Sequence, residues 1–179
     1  MSAEKRFDMV VIGSGPAGEK AAAQAAYFGK RVAVVERAPS PGGAVVRNAE
    51  IPSKTLRETA LYITGFRRRE VYGMGLTLDP EVAVAQLRTR TAQVIETMTD
   101  AVRRNLERHA IELVRGNARL GSDRTVHVTL DDGQERVLQS DVVLIATGSR
   151  PFRPTSIPLD DPDVHDSETV LDIDRPFTS

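Results

Sequence analysis

The fold is decided by residues 7–36, FDMVVIGSGPAGEKAAAQAAYFGKRVAVVE. The apolar run Phe7–Ile12 predicts a buried parallel strand. The Ala-rich stretch Gly15–Gly29 predicts a helix that closes at its last glycine, and Arg31–Glu36 predicts a second buried strand. A strand, a helix and a strand within about 30 residues make a βαβ unit. The sequence therefore predicts an α/β fold built on a parallel sheet.

The turn between the first strand and the helix, GSGPAG at residues 13–18, has the pattern GxGxxG. The first glycine allows the tight turn, Gly15 lets a pyrophosphate approach the backbone, and Gly18 lets the helix pack closely on the strand. The helix N-terminus offers unpaired N–H groups and a partial positive charge to phosphates. Glu36 ends the second strand about 20 residues further on, where a carboxylate binds ribose hydroxyls. Together these features predict a Rossmann-like dinucleotide site.

After the βαβ unit the sequence predicts a loop at 39–51, a helix opened by Pro52 that runs to about Arg69, and a long helix from Pro80 to about His109. It then predicts short strands at 112–115, 119–120, 125–130 and 136–138, and a final apolar strand at 142–146. Asp132-Gly133 predicts a hairpin turn. We therefore expect a domain of residues 1–150 with helices on both faces of its sheet and a small antiparallel β insertion near 111–140. Residues 151–179, rich in Pro and Asp, predict a linker.

Composition excludes several classes of function. Lys and Arg total 24 against 25 Asp and Glu, which argues against a nucleic-acid or anionic-membrane partner recognised by bulk charge. The chain has no cysteine, so it holds no disulfide, thiolate metal site or cysteine nucleophile. Its 3 histidines are scattered without metal-ligand spacing, and we expect no metal. With no signal-type stretch and no membrane-spanning apolar run, a cytoplasmic location is expected.

Five segments carry a resemblance to a known family: VVIGSGPAGEKAA, VVER, GGAVVRNAEIPSK, GNA and ATGSRP, in this order. In them the chain resembles the flavoprotein disulfide reductases, which include lipoamide dehydrogenase and glutathione reductase. The resemblance implies FAD as the cofactor. It implies FAD contacts at Gly13, Gly15, Pro16, Ala17, Gly18, Glu36, Arg37, Gly42, Gly43, Ala44, Val45, Lys54, Gly116, Asn117, Ala118, Ala146, Thr147, Gly148 and Ser149. Two alternatives are equally open for Arg37: its side chain covers the adenine, or it faces solvent.

The same resemblance implies the chemistry. Lys54 would approach the flavin ring and stabilise the anionic reduced form. The family's two redox cysteines fall on Val45 and Glu50, so hydride arriving at the flavin cannot pass on to a disulfide. The chain is most similar to the branch that works without this dithiol, the soluble pyridine nucleotide transhydrogenases (Si-specific), through IPSKTLRETALYITGFRRR, GNAR and HDSETVL. That branch implies hydride transfer from NADPH to NAD+ through FAD, in a homodimer or higher homo-oligomer.

Two questions stay open at this point. A charged Glu50 would disfavour electron gain and lower the flavin potential, unless it points to solvent or Arg47 neutralises it. The chain contains no second GxGxxG unit, so NAD(P) binding is expected only with a further domain, and these 179 residues alone are expected to hold FAD weakly and to be inactive. The alternatives are a stand-alone or truncated FAD-binding module, or a diaphorase-like or lipoamide dehydrogenase-like flavoprotein without the dithiol.

Overall fold

The computed structural model describes residues 5–67, 73 and 79–175. The elements are β1 Lys5–Ile12, α1 Pro16–Tyr27, β2 Val32–Glu36, α2 Gly43–Arg47, α3 Glu50–Arg67, α4 Pro80–Arg108, β3 Glu112–Arg115, β4 Asn117–Leu120, β5 Thr125–Thr129, β6 Glu135–Ile145 and a 3-10 helix at Thr169–Asp172. The chain divides into two compact units, Met1–Ala44 with Met98–Ser149 and Val45–Thr97 with Arg150–Ser179. The end of the second helix expected near Arg69 lies outside the described residues.

The first unit contains one six-stranded sheet in the order β3-β2-β1-β6-β5-β4. β1 pairs in parallel with β2 and with β6, and β2 pairs in parallel with β3. β5 runs antiparallel to both β4 and β6, and the turn before β6 uses Gly133, whose N–H donates to the Leu130 carbonyl. The α/β fold class, with a mostly parallel Rossmann-like sheet and an antiparallel insertion, is therefore confirmed.

The two faces of this sheet bury different partners, because successive side chains of a strand point to opposite sides. On one face Val11 and Val34 pack with Ala22 of α1 and with Val102 and Leu106 of α4. On the opposite face Val10, Ala33, Val35 and Val114 belong to a second buried cluster, which also contains Phe7, Val126, Val128 and Leu138. Among the described residues of this unit, α1 and α4 pack in the first of these clusters, and the buried residues of the second all come from strands.

β6 corrects the prediction of two separate strands at 136–138 and 142–146, because it is one strand, Glu135–Ile145. The polar residues between the two apolar runs suggested a break, but each is accommodated in the ladder. Gln139 pairs with Arg6 on one side and Thr125 on the other, while Ser140 N–H donates to the Arg124 carbonyl. Polarity alone does not end a strand when neighbouring strands provide hydrogen-bond partners.

The segment 39–51 corrects a second prediction, because it is not wholly loop. It contains α2, and α3 begins at Glu50 rather than at Pro52. Pro52 is tolerated as the third residue of α3, since N–H groups of the first helical turn have no partner within the helix. An acid at the first position also suits the positive end of the helix dipole.

The second unit contains α3, the first part of α4 and the segment from Arg150 onward. Here the Asp166 carboxylate, which precedes the 3-10 helix, accepts hydrogen bonds from the N–H groups of Glu168 and Thr169, each at 2.9 Å. Several hydrogen-bond donors hold the pKa of the Asp166 carboxyl below its usual range, and the Thr169 N–H has the largest effect. Arg153 adds an ion pair at 2.9 Å.

Candidate functional site

Two of the three fingerprint glycines are required by the chain itself. Gly13 has φ +105°, and a Cβ there would lie 2.3 Å from the Ala146 carbonyl oxygen. A Cβ on Gly18 would lie 1.9 Å from the Gly13 carbonyl oxygen. The turn is also fixed by its backbone, because the Gly13 N–H donates to the Val35 carbonyl at 2.8 Å. At both positions any other residue would displace backbone.

Gly15 differs, because the chain leaves open space beside it. Its φ of −65° and ψ of 177° suit any residue, and a Cβ would meet only the Gly43 Cα, at 3.8 Å. Gly15 is the N-cap of α1 and provides no side-chain cap. The approach to the backbone here is open and leads to the positive end of a helix, which fits the pyrophosphate of a dinucleotide.

Glu36 lies at the end of β2 with a fixed carboxylate and is only 6% exposed. Its Oε2 accepts hydrogen bonds from the Ser14 N–H at 3.0 Å and the Ser14 hydroxyl at 2.5 Å. Its Oε1 accepts one from the Ala38 N–H at 2.8 Å. The acid predicted to bind ribose is thus attached to the fingerprint turn.

Ser14 is the residue that sequence reasoning missed. It occupies a variable position of the fingerprint, but its side chain is fully buried. Its hydroxyl donates to Glu36 and accepts from the Gly42 N–H at 3.2 Å, so it joins the fingerprint turn to the glycine pair at 42–43. A small hydroxyl residue between two fingerprint glycines, with an acid ending the next strand, is the signal that could have identified it.

Most of the other predicted segments of the first unit lie beside the fingerprint turn, at the carboxyl ends of β1 and β2. The Gly116 N–H donates to the Glu36 carbonyl at 2.9 Å, and the Ala146 N–H donates to the Ile12 carbonyl at 2.8 Å. Gly43 lies so close to the fingerprint that a Cβ on it would be 2.7 Å from the Gly15 Cα. The remaining predicted contacts are exposed or half-buried in the same unit, namely Pro16, Ala17, Arg37, Ala44, Asn117, Ala118, Thr147, Gly148 and Ser149.

Three predicted residues, Val45, Glu50 and Lys54, belong to the second unit. Glu50 Oε1 accepts a hydrogen bond from Lys54 Nζ one turn along α3, and both side chains are exposed. This hydrogen bond and the positive charge of Lys54 lower the pKa of the Glu50 carboxyl. Lys54 also lines a cavity of about 310 Å³ with Thr55 and Arg90. The sequence left open whether Glu50 points to solvent or is neutralised by Arg47. The structure adds a further possibility, a charge pair with Lys54.

Two kinds of feature are absent from the described part of the chain, a cluster of metal ligands and a membrane-spanning helix. Within residues 5–67, 73 and 79–175, no group of three or more His, Asp or Glu side chains could hold a metal ion. None of the helices described is both long enough and apolar enough to cross a membrane.

The fold and the fingerprint turn together place this chain among the Rossmann-like α/β proteins. The family model described as pyridine nucleotide-disulphide oxidoreductase matches residues 7–178, and the chain belongs to this family. The resemblance stated from the sequence is thereby confirmed.

Among curated proteins the chain is similar to several named soluble pyridine nucleotide transhydrogenase. It is 42% identical over 170 residues to that of Mycobacterium tuberculosis (strain ATCC 25177 / H37Ra), covering 94% of this chain and 36% of the relative. It is 34% identical over 175 residues to that of Serratia proteamaculans (strain 568), covering 98% and 37%. It is 33% identical over 173 residues to that of Vibrio vulnificus (strain YJ016), covering 97% and 37%. The chain thus spans a little over a third of these relatives' length.

Proposed function

We propose that this chain forms the FAD-binding part of a flavin-dependent NAD(P)+ transhydrogenase of the Si-specific type. The observation that carries the proposal is that the chain has no cysteine, and the resemblance stated above places Val45 and Glu50 where disulfide reductases have their redox pair. Without a dithiol, electrons must leave towards a second nicotinamide or another acceptor. The relatives' printed name supports the nicotinamide. When bound, FAD would supply a two-electron carrier that accepts hydride from NADPH and returns it to NAD+.

The residues of the first unit would bind the ADP half of FAD. The N-terminus of α1 and the open backbone at Gly15 would bind the pyrophosphate. The Glu36 carboxylate would bind the adenosine ribose, and the backbone of 116–118 would contact adenine. Residues 42–45 and 146–149 would follow the rest of the cofactor. Residues 1–150 would then be the FAD domain, and 151–179 the linker to an NAD(P)-binding part.

Glu50 would tune the flavin through Lys54. Lys54 provides the cation that favours the anionic reduced flavin, and its pairing with Glu50 partly neutralises that cation. Because the pKa of Glu50 lies below its usual range, the pair persists at neutral pH and is lost only as the pH falls through that lowered pKa. Glu50 would therefore keep the flavin potential low near neutrality.

Glu50→Thr is expected to raise the flavin midpoint potential by on the order of 10–30 mV at neutral pH, a modest shift because water screens an exposed pair. Redox titration of the flavin against a reference dye measures it. The difference between Glu50→Thr and the parent should shrink in acid, where Glu50 is protonated. Glu96→Thr, which removes an exposed acid of α4, is the matched control and should leave the potential unchanged. No upward shift with Glu50→Thr would discard the tuning role.

Hydride relay is tested by stopped-flow absorbance of the flavin-loaded protein supplied with its NAD(P)-binding part. NADPH should reduce the flavin, and subsequent addition of NAD+ should reoxidise it in the absence of oxygen. Reduction by NADPH without reoxidation by NAD+ would contradict transhydrogenation and favour the diaphorase-like alternative. Failure of the protein to bind FAD would contradict both.

A further inference from the structure

The Ser14 side chain has a hydrogen-bonding arrangement that a turn alone does not need. The residue is fully buried at the second position of the fingerprint. A hydroxyl has one proton to donate, and Ser14 gives it to Glu36 Oε2 at 2.5 Å. A lone pair of the same oxygen accepts the Gly42 N–H at 3.2 Å. Its single proton is thus used on the acid that ends β2.

The consequence for Glu36 is a defined carboxylate plane. The last torsion of a glutamate side chain is broad, so a carboxylate is oriented by its donors rather than by its rotamer. In Glu36 one oxygen accepts from the Ser14 hydroxyl and N–H, and the other accepts from the Ala38 N–H. The two N–H groups are backbone and remain in any variant. The Ser14 hydroxyl makes the shortest of the three bonds, and a side-chain change can remove it.

We infer that Ser14 is a positioning residue, whose hydroxyl holds the Glu36 carboxylate in the orientation needed to recognise the ribose hydroxyls of an adenine dinucleotide. Ser14 acts through Glu36 and does not itself contact the ligand. This inference rests on the proposed binding of FAD at the same turn. A serine that only stabilises the turn would support all ligands of the site equally, whereas a serine that orients Glu36 matters only for ligands with ribose hydroxyls.

The test compares ADP with 2′,3′-dideoxy-ADP by calorimetry on the 179-residue chain. The parent should bind ADP about tenfold more tightly than the dideoxy compound, the ratio expected from a hydrogen bond to a charged group. Ser14→Ala should weaken ADP binding by about the same factor and leave dideoxy-ADP binding unchanged, so the ratio approaches one. Ser122→Ala, an exposed serine in the turn before β5, should keep the parental ratio. In a Glu36→Gln background, Ser14→Ala should have no further effect on ADP affinity.

The failures are distinguishable. If the parent binds ADP and dideoxy-ADP equally, Glu36 does not recognise ribose and the inference is overturned, while binding of the diphosphate still supports the proposed function. The inference is also overturned if Ser14→Ala weakens both ligands by the same factor, as a purely structural serine would. If the parent binds neither ADP nor FAD, the proposed function itself is wrong. If Ser14→Ala does not fold, Ser14→Gly removes the same hydroxyl without adding bulk at this buried position. A parental ratio in whichever of the two variants folds would overturn the inference.

Discussion

Gly15→Ala is expected to lower the affinity for FAD by roughly two orders of magnitude while the chain remains folded. The loss corresponds to one or two charge-assisted hydrogen bonds between phosphate and backbone, which a methyl group at the point of closest approach would prevent. The fold should tolerate the change because the new Cβ would meet only the Gly43 Cα, at an ordinary contact distance of 3.8 Å. The backbone of Gly15 is also in a region open to every L-residue.

Two measurements on each variant separate binding from folding. Quenching of flavin fluorescence gives the affinity, and circular dichroism during heating gives the unfolding temperature. The matched control is Gly65→Ala, a glycine of α3 with no atom within 4 Å of the added Cβ, which should leave FAD affinity unchanged. If Gly15→Ala binds FAD as tightly as the parent, the pyrophosphate does not approach this backbone and the proposed site is misplaced.

The parts of the fold that the sequence predicted are those set by local chemistry. The βαβ unit follows from apolar runs, an Ala-rich helix and glycines, all within residues 7–36. The structure places these elements within one or two residues of the prediction, with α1 at Pro16–Tyr27 and β2 at Val32–Glu36. The position of Glu36 at the end of β2 was predicted for the same reason, because strand length and the spacing from the fingerprint are both local.

The parts that could not be predicted depend on partners distant in sequence. β6 continues through Ser140 because the Arg124 carbonyl, 16 residues earlier, accepts its N–H. The role of Ser14 depends on Glu36, which is 22 residues away, and on Gly42, which is 28 residues away. Hydrophobic periodicity and residue propensities describe only neighbours along the chain, so they carry no information on these distant hydrogen bonds. For this reason the sequence did not predict the structural roles of Ser140 in β6 and Ser14 in the fingerprint turn.

Gly18→Ala is expected to destabilise the chain by more than about 3 kcal/mol, the range of severe overpacking, and to abolish FAD binding as a consequence. The added Cβ would lie 1.9 Å from the Gly13 carbonyl oxygen and 3.1 Å from Val11 Cγ1. Gly13 cannot move aside, because its N–H donates a hydrogen bond to the Val35 carbonyl and the Ala146 carbonyl oxygen lies close beside its Cα. α1 must therefore move away from β1, which opens the cluster that Val11 and Ala22 share.

Urea unfolding followed by far-UV circular dichroism measures this loss, with Gly65→Ala again as the control, since it makes the same substitution in a helix where space is free. That control should be neutral or slightly stabilising, because alanine favours helix by about 1 kcal/mol over glycine. The comparison with Gly15→Ala is the decisive one. Both variants should bind FAD more weakly than the parent, but only Gly18→Ala should be destabilised. The space beside Gly15 is left for a ligand, whereas the space beside Gly18 is filled by the chain itself. A Gly18→Ala variant as stable as the parent would contradict the close helix–strand approach on which the whole fingerprint turn depends.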